Sequence, residues 1–194
     1  MSELPELWEM APLQAIVPDP QQDIVDGPFG SNLKASEYRD DGVPIIRLQN
    51  VSRNRFVEKN TKYISPAKAE ELDRHNFRAG DIAITKLGAP LGKAAIIPER
   101  LKHGVIVADI VRVRVRDEYA DRRFLTYAIN SPDVSAALAE DTKGTTRPRV
   151  NLGHIRALPI PMAPRMEQTR VAEKLDNVLA RVDACRERLD RVPA

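Results

Sequence analysis

The sequence predicts an α+β fold, with a globular mixed domain over residues 1–163 followed by one long helix over residues 164–194. Short β-branched segments alternate with glycine, proline and asparagine through the first part of the chain. Glycine is absent after about Arg165, and proline returns only at Pro193. The 194 residues are 42% hydrophobic, which is enough to bury one core and carry an appendage rather than a second full domain.

Five segments are predicted strands because they are short, rich in valine and isoleucine, and bounded by turn residues. They cover residues 44–49, 81–86, 93–97, 105–116 and 158–162. In the fourth segment, valines alternate with three arginines, Arg112, Arg114 and Arg116. Such alternation is typical of a half-buried strand, so we expect these arginines on the surface.

Two Ser-Pro pairs indicate helices, because serine caps a helix N-terminus and proline fits its first turn. Ser65-Pro66 begins a short predicted helix that runs to about Arg74. Ser131-Pro132 lies inside a longer predicted helical region, residues 122–141. The last helix is predicted from about Arg165 onward.

The last helix carries apolar residues in alternating steps of four and three. The series is Val171, Leu175, Val178, Val182, Cys185, Leu189 and Val192. This spacing keeps one apolar seam facing a partner helix and therefore predicts a coiled coil. Cys185 is the only cysteine, and we interpret it as a small apolar member of the seam rather than a redox group.

Composition and charge exclude several classes of protein. The net charge is only +2 although 30% of the residues are charged, so affinity for nucleic acid must come from a local cluster. No apolar segment is long enough to cross a bilayer and no secretory leader is visible, so we expect a cytoplasmic protein without a membrane role. The histidines and the cysteine lie far apart in the sequence, and we expect no metal and no cofactor.

The clearest local charge lies in residues 142–166, which hold five cations and no acid. The cations are Lys143, Arg147, Arg149, Arg156 and Arg165. Residues 144–151 add hydroxyls and an amide, groups that pair with phosphates and base edges. The segment therefore indicates DNA contact, and a merely solvated loop is the alternative.

A metal-dependent nuclease is a competing hypothesis. Pro132-Asp133 followed by Asp141-Thr142-Lys143 matches the proline-aspartate and acid-x-lysine pattern of metal-assisted phosphodiester cleavage. Such carboxylates should converge from neighbouring strands, whereas both lie in or beside a predicted helix, where an acid in the first turn suits the dipole. The nuclease stays an alternative, and an adaptor that binds only protein is a third possibility.

Two N-terminal stretches, residues 26–34 (DGPFGSNLK) and 42–51 (GVPIIRLQNV), resemble the opening of a target-recognition domain in specificity subunits of type I restriction-modification systems. Further motifs keep the order of that family: Trp8-Glu9 before them, then residues 77–82, 91–93, 151–152, 158–161 and 166–168. Ala163-Pro164-Arg165 departs from the family's usual double proline. The resemblance covers nearly the whole chain, but family members carry two such units and this chain carries one.

The resemblance implies a DNA-binding specificity subunit without an active site. It implies that each such domain reads half of a bipartite target in double-stranded DNA. It also implies that the subunit positions an S-adenosylmethionine-dependent methyltransferase (modification) subunit and, in full complexes, a restriction and translocase subunit. One unit per chain predicts a homodimer through the C-terminal helix and a palindromic target. A helix of about 25 residues spans on the order of 37 Å, close to one turn of B-DNA, so it suits a spacer.

Charges on the helix complicate self-pairing. Lys174, Arg181 and Arg188 lie along one edge of the seam and would face like charges in a homodimer. Ala172 and Leu179 widen the apolar stripe on the other edge, which also suits a further, acidic partner such as the methyltransferase subunit.

The residues expected to contact DNA are mostly polar or basic members of loops: Ser31, Asn32, Lys34, Arg47, Gln49, Asn50, Lys86, Lys143, Thr145, Arg147, Arg149 and Asn151. The residues expected to meet a partner helix are Val171, Leu175, Val178, Val182, Cys185 and Leu189.

Overall fold

The computed structural model describes residues 4–140 and 148–191. It confirms the predicted class, because a mixed globular domain of strands and short helices precedes one long helix. The strands are β1 (Glu9–Pro12), β2 (Ile24–Asp26), β3 (Val43–Ile46), β4 (Val51–Ser52), β5 (Arg55–Phe56), β6 (Lys62–Ile64), β7 (Asn76–Arg78), β8 (Ile82–Thr85), β9 (Ala94–Ile96), β10 (His103–Ile106), β11 (Ile110–Val113) and β12 (Pro159–Met162).

The helices are α1 (Pro20–Asp23), α2 (Pro66–Glu71), α3 (Arg122–Ile129), α4 (Pro132–Glu140), α5 (Leu152–Arg156) and α6 (Arg165–Asp190). Short 3-10 turns occur at Leu13–Ala15, Ala35–Glu37, Leu48–Asn50 and Asp73–His75. The predicted cap at Ser65 is confirmed, since its hydroxyl accepts the Lys68 N–H at 3.2 Å. The helix after it ends at Glu71 and continues as a 3-10 turn rather than running to Arg74.

Two four-stranded sheets form the centre of the domain. The first sheet has the order β2-β11-β8-β9 and is antiparallel throughout. The second has the order β6-β3-β10-β7, in which β3 and β10 are parallel and the other pairs antiparallel. Strands β1 and β12 pair at the side of the domain, and β4 and β5 form a small hairpin.

The first sheet is buried on both faces. On one side its residues join a core with α3, α4 and α5, for example Ile84 with Phe124 and Leu138. On the other side Ala83 and Ile110 share a second core with Phe77 and with residues of β3 and β10. Because sheets with both faces covered need apolar residues on both, the half-buried pattern expected for β11 does not hold.

Arg112 shows this directly. The prediction that it lies on the surface is wrong, because its side chain is on the face of β11 that packs against the second sheet, and it is 2% exposed. Its Nη2 donates to the Gln22 carbonyl at 2.9 Å. Burial, together with the nearby Arg114 charge, lowers the pKa of Arg112 to about 10.

Arg114 and Arg116 lie nearer the solvent. Arg114 is half-buried and forms two hydrogen bonds to the Asp81 carboxylate, at 3.0 and 2.8 Å. Arg116 is exposed, as predicted. Of the three alternating arginines, Arg112 is therefore buried in the strand, while Arg114 is half-buried and Arg116 is exposed just after it.

Two further predictions of element bounds are wrong. Residues 105–116 form the end of β10 and β11 in different sheets, because the chain turns at residues 107–109, where the Ile110 N–H donates to the Val107 carbonyl at 2.9 Å. The strand predicted at 44–49 ends at Ile46, and a 3-10 turn begins at Leu48. Within the predicted helical region 122–141, the helix start indicated by Ser131-Pro132 is confirmed, because α3 ends at Ile129 and α4 begins at Pro132, which has no N–H to donate. Asp141 lies outside the described residues.

Only the first half of α6 packs on the domain. Gln168 and Ala172 are buried, and Val171 packs against the main core. The Gln168 side chain accepts the Asp121 N–H at 2.9 Å and donates to the Ala163 carbonyl at 2.8 Å. Residues 181–190 are all exposed, so this half of the helix projects from the domain.

Candidate nucleic-acid interface

The turn at residues 107–109 collects the carboxyl ends of three strands. The Val107 N–H donates to the carbonyl of Ile46 at the end of β3, at 3.1 Å. The Lys86 N–H, just after β8, donates to the Asp109 carbonyl at 2.8 Å. Gly27, just after β2, lies so close that an added Cβ would stand 2.0 Å from the Val107 oxygen. The loops that leave these strands therefore start from one place.

We call this surface the loop edge and define it as residues 27–34, 47–50, 86, 107–109 and 149–151. The last segment joins this surface through two backbone contacts. Arg149 forms an isolated antiparallel β-bridge with Leu87, and the Val150 N–H donates to the Lys86 carbonyl at 3.0 Å. The loop edge thus contains every residue predicted to contact DNA that the structure describes. Lys143, Thr145 and Arg147 lie outside the described residues.

Arg149 and Asn151 are exposed members of the loop edge. Arg149 forms an ion pair with Asp109, with 2.8 Å between Nη2 and Oδ1. Asn151 caps α5, since its Oδ1 accepts the His154 N–H at 2.9 Å. Both side chains are therefore oriented by contacts to the domain and still reach solvent.

Residues 27–34 cross from the first sheet to the second. Leu33 is buried in a core with Ile45 and Ile64, whereas Ser31, Asn32 and Lys34 are exposed. The Asn32 N–H donates to the Phe29 carbonyl at 2.8 Å and closes a turn. Three of the predicted DNA contacts are consequently accessible polar groups on an ordered loop.

Arg47 and Gln49 face the segment 57–60 rather than open solvent. The Arg47 guanidinium lies 5.8 Å from the centre of the Tyr38 ring and donates to the Asn60 carbonyl. The Gln49 amide donates to the Lys59 carbonyl at 3.3 Å, and Gln49 is exposed. Both residues hold this segment in place, and Gln49 also reaches solvent.

Asn50 and Lys86 correct the expectation drawn from the sequence. Asn50 is buried, with its Oδ1 accepting the Arg47 N–H at 3.0 Å and its Nδ2 donating to the Val57 carbonyl at 2.9 Å. Lys86 is buried and its Nζ lies 2.8 Å from Asp26 Oδ2. Neither side chain is accessible to DNA in this arrangement, because each is buried and is bound to a partner within the domain.

Two further residues of the loop edge escaped the sequence analysis. Asp109 orients Arg149, and Phe29 is 81% exposed. A signal for Phe29 was present, since an aromatic residue between Pro28 and Gly30 has no helix or strand to pack it.

The seam of α6 divides into two parts. Val171 and Leu175 are half-buried against the domain, whereas Val178, Val182, Cys185 and Leu189 are exposed, Leu189 at 71%. The exposed members line a shallow groove with the stems of Arg181 and Arg186. Val192 lies outside the described residues.

Polar side chains fasten α6 to α3. Arg123 lies 2.8 Å from Asp176, with Nη1 facing Oδ2, and the Tyr127 hydroxyl donates to the same carboxylate. Burial, the hydrogen bond to Asp176 and the Asp176 charge raise the pKa of Tyr127, so the Tyr127 hydroxyl stays protonated and acts as the donor. Burial raises the pKa of Asp121, but hydrogen bonds from the side chain and backbone of Arg123 and from the Phe124 N–H outweigh it, so the pKa lies below its usual range.

The described residues show little that would serve a nuclease. Asp133 stands exposed in the first turn of α4, beside an apolar groove lined by Trp8 and Pro159, and Asp141 and Lys143 lie outside those residues. Within residues 4–140 and 148–191, no three His, Cys, Asp or Glu side chains are grouped to hold a metal. None of the helices in that part of the chain is both long and apolar enough to cross a membrane.

Comparison with known proteins gives consistent matches. The family model for the type I restriction modification DNA specificity domain matches residues 21–194. The type I restriction enzyme MjaVIII specificity subunit of Methanocaldococcus jannaschii is 22% identical over 181 residues, covering 92% of this chain and 41% of that protein. The EcoBI specificity subunit of Escherichia coli is 26% identical over 171 residues, covering 84% of this chain and 32% of that protein.

Solved structures share the fold. The crystal structure of the HsdS subunit from Thermoanaerobacter tengcongensis matches with a TM-score of 0.67 at 19% identity, covering 95% of this chain and 45% of that one. The chain therefore spans less than half the length of each of these relatives.

Proposed function

Because the chain belongs to the family of type I restriction modification DNA specificity domains, we propose that it binds double-stranded DNA sequence-specifically and reads one half of a bipartite target. The observation that carries this proposal is the loop edge. Strand ends from both sheets bring Ser31, Asn32, Arg149 and Asn151 to one surface as exposed, ordered polar groups. Hydroxyls, amides and a guanidinium are the groups that read base edges and position phosphates.

The accessible residues divide by their expected role. Asn32 and Asn151 offer amides that can pair with adenine, and Arg149 offers a guanidinium fork for guanine or phosphate. Lys34 is an exposed cation on the same loop as Asn32 and suits the phosphate backbone. Lys143, Thr145 and Arg147 belong to the segment that leads into Arg149, and we propose them as further contacts. Arg47, Asn50 and Lys86 are proposed to shape the loops that make contact.

We propose that the chain is not itself an enzyme. In this proposal a methyltransferase subunit supplies the chemistry, and a restriction and translocase subunit joins it in full complexes. Support comes from the relatives, which are named specificity subunits of type I restriction enzymes. The complex would act in the cytoplasm, where the lone cysteine fits a reducing environment.

We further propose that two copies pair through α6 as a coiled coil and form one symmetric reader of a palindromic bipartite site. The uncovered apolar face from Val178 to Leu189 supports this. The domain would cover residues 1–163 and the spacer helix residues 164–194. Like charges at Arg181 and Arg188 weaken self-pairing, so the methyltransferase subunit is the second candidate for this face.

The test is a selection of bound duplexes from a random pool, with the purified chain alone and with its methyltransferase subunit. We expect a bipartite sequence whose two halves are inverted repeats. Enrichment of no sequence in either arm would overturn the proposal, and capture of the methyltransferase subunit without DNA binding would favour the adaptor. Cleavage of the pool by the chain alone in the presence of Mg²⁺ would instead establish the nuclease.

A further inference from the structure

We propose that Phe29 acts as a wedge that enters the stack of bases in the bound half-site. This inference rests on the proposed DNA-binding function. It adds to the loop edge a residue that recognises how easily the DNA deforms, rather than one that forms hydrogen bonds to the bases. Three features of the structure carry it: the loop that presents the ring is held at both ends, the ring is exposed, and exposed polar and basic residues follow it on the same loop.

The loop that presents Phe29 is held at both ends. Gly27 packs closely against the Val107 carbonyl, and Pro28 is buried. Leu33 is anchored in the core of the second sheet, and the Asn32 N–H closes the turn on the Phe29 carbonyl at 2.8 Å. Because this backbone is already ordered, binding through the ring requires little further loss of conformational entropy.

The ring itself stands free. Phe29 is 81% exposed. An added Cβ on the neighbouring Gly30 would meet no atom beyond residues 29–31 within 4 Å, so the backbone next to Phe29 also borders open space. The other exposed large apolar side chains of residues 4–140 and 148–191 lie near the N-terminus, at Tyr119, or along α6: Leu4, Leu7, Met10, Tyr119, Met166, Val178, Val182 and Leu189. Phe29 is therefore not part of an apolar patch of the kind that marks a protein interface.

The neighbours of Phe29 fit a nucleic acid. Ser31, Asn32 and Lys34 follow it on the same loop, all exposed, and offer a hydroxyl, an amide and a cation. A flat apolar ring followed on its loop by such groups matches a base step, whose faces are apolar and whose margins carry sugars and phosphates. Apolar side chains inserted between base steps unstack them and kink the duplex.

This placement has a consequence for sequence preference. Unstacking one base step costs free energy, and stacking a base on the inserted aromatic ring returns part of that cost. The net cost is lowest at pyrimidine–purine steps, which kink most readily. The wedge therefore favours a TA or CA step in the half-site without any hydrogen bond to its bases.

The experiment uses the full chain and a fluorescent duplex recovered by the selection described above, with 2-aminopurine placed in turn at its adenine positions. Wild type is expected to raise 2-aminopurine fluorescence at one position, because the analogue brightens when it is unstacked. Phe29→Ala should bind the duplex about tenfold or more weakly, as for loss of one stacked base, and should abolish that rise. Phe29→Trp keeps an aromatic ring at this position and should retain both the affinity and the fluorescence rise.

A matched control is Tyr119→Ala, which removes an exposed aromatic ring beyond the opposite end of β11, and it should leave both readouts unchanged. Thermal unfolding should be the same for all variants because neither ring is buried. Unchanged affinity and fluorescence in Phe29→Ala would overturn the wedge while leaving the proposed function intact. Loss of methyltransferase binding by Phe29→Ala with unchanged DNA binding would assign the ring to a protein interface. If wild type binds no duplex, the wedge fails together with the proposed function.

Discussion

Arg123 of α3 and Asp176 of α6 form an ion pair, with 2.8 Å between Nη1 and Oδ2, that fastens the projecting helix to the globular domain. Tyr127 donates to the same carboxylate. Nearer the start of α6, the Gln168 side chain accepts the N–H of Asp121, the residue before α3. Hydrogen bonds are directional, so these contacts fix the direction in which α6 leaves the domain. In a dimer built on α6, that direction sets the distance between the two half-sites.

Replacing Asp176 with alanine should loosen this attachment. The Tyr127 hydroxyl loses its acceptor and Arg123 keeps only the Asp121 carboxylate, so we expect the free energy of unfolding to fall by about 1 kcal/mol. The selection should return half-sites at several separations, where wild type gives one. Asp183→Ala is the control, because Asp183 lies in the exposed part of the same helix. A single unchanged separation for Asp176→Ala would show that these contacts do not orient the helix.

Arg149 should contribute to the salt dependence of DNA binding. Arg149→Ala is expected to lower the slope of log K against log salt concentration by about 1, and adding Arg147→Ala by about 1 more. The measurement is a binding titration at several salt concentrations. Arg116→Ala serves as control, because Arg116 is exposed at the other end of β11 from the loop edge. Equal slopes for wild type and the double variant would remove this segment from the interface.

Gly27 and Gly30 form a matched pair for testing the loop edge. Gly27→Ala places a Cβ 2.0 Å from the Val107 oxygen, so the loop must shift, and we expect a loss of about 1–3 kcal/mol in the free energy of unfolding. Gly30→Ala meets no atom within 4 Å and should change stability by less than about 0.5 kcal/mol. Denaturant unfolding of both variants gives the comparison, and equal stabilities would contradict the packing described here.

Leu189→Asp tests pairing through α6. Leu189 is 71% exposed, so the change should leave the melting temperature of a monomer unaffected, while a charge in the seam should abolish self-association. Sedimentation at several concentrations measures the mass. Leu7→Asp is the control, since Leu7 is equally accessible but lies near the N-terminus. A mass that is the same for wild type and Leu189→Asp would rule out the seam as the dimer contact.

Asp121 should make stability depend on acid pH. Its folded pKa is depressed, so its charged form contributes stability that is present above the unfolded pKa of about 3.9 and is lost as pH falls through the folded value. At neutral pH, Asp121→Ala should lose about 1–2 kcal/mol because α3 also loses its N-cap. The difference between wild type and variant should shrink as pH falls below about 4. A constant difference down to pH 2 would contradict the assignment.

Local patterns predicted the parts of the fold that depend on neighbours in sequence. The long helix begins at Arg165 as predicted, because its apolar spacing and the absence of glycine are local. The break between β10 and β11 was missed because these strands belong to different sheets, and that choice depends on distant partners in β3 and β8. Arg112 was misplaced for the same reason, since alternation cannot show that a second sheet covers the polar face.

The candidate site was predicted by chemical type better than by position. Polar loop residues such as Asn32 and Asn151 are exposed at one edge, as a DNA-binding role requires. Asn50 and Lys86 have the same chemistry but are used inside the protein by Val57 and Asp26, which no spacing in the sequence reveals. Phe29 shows the opposite case, because its apolar ring is the accessible group.

Cys185 lies on the uncovered part of α6 and is the only cysteine of the chain. An exposed thiol reacts with maleimides, and a thiol buried between helices reacts slowly. The rate of alkylation therefore reports the occupancy of this helix face in the unmodified protein, whether a second copy or another subunit covers it. Cys185 is therefore a native labelling site on the helix face that assembly would cover.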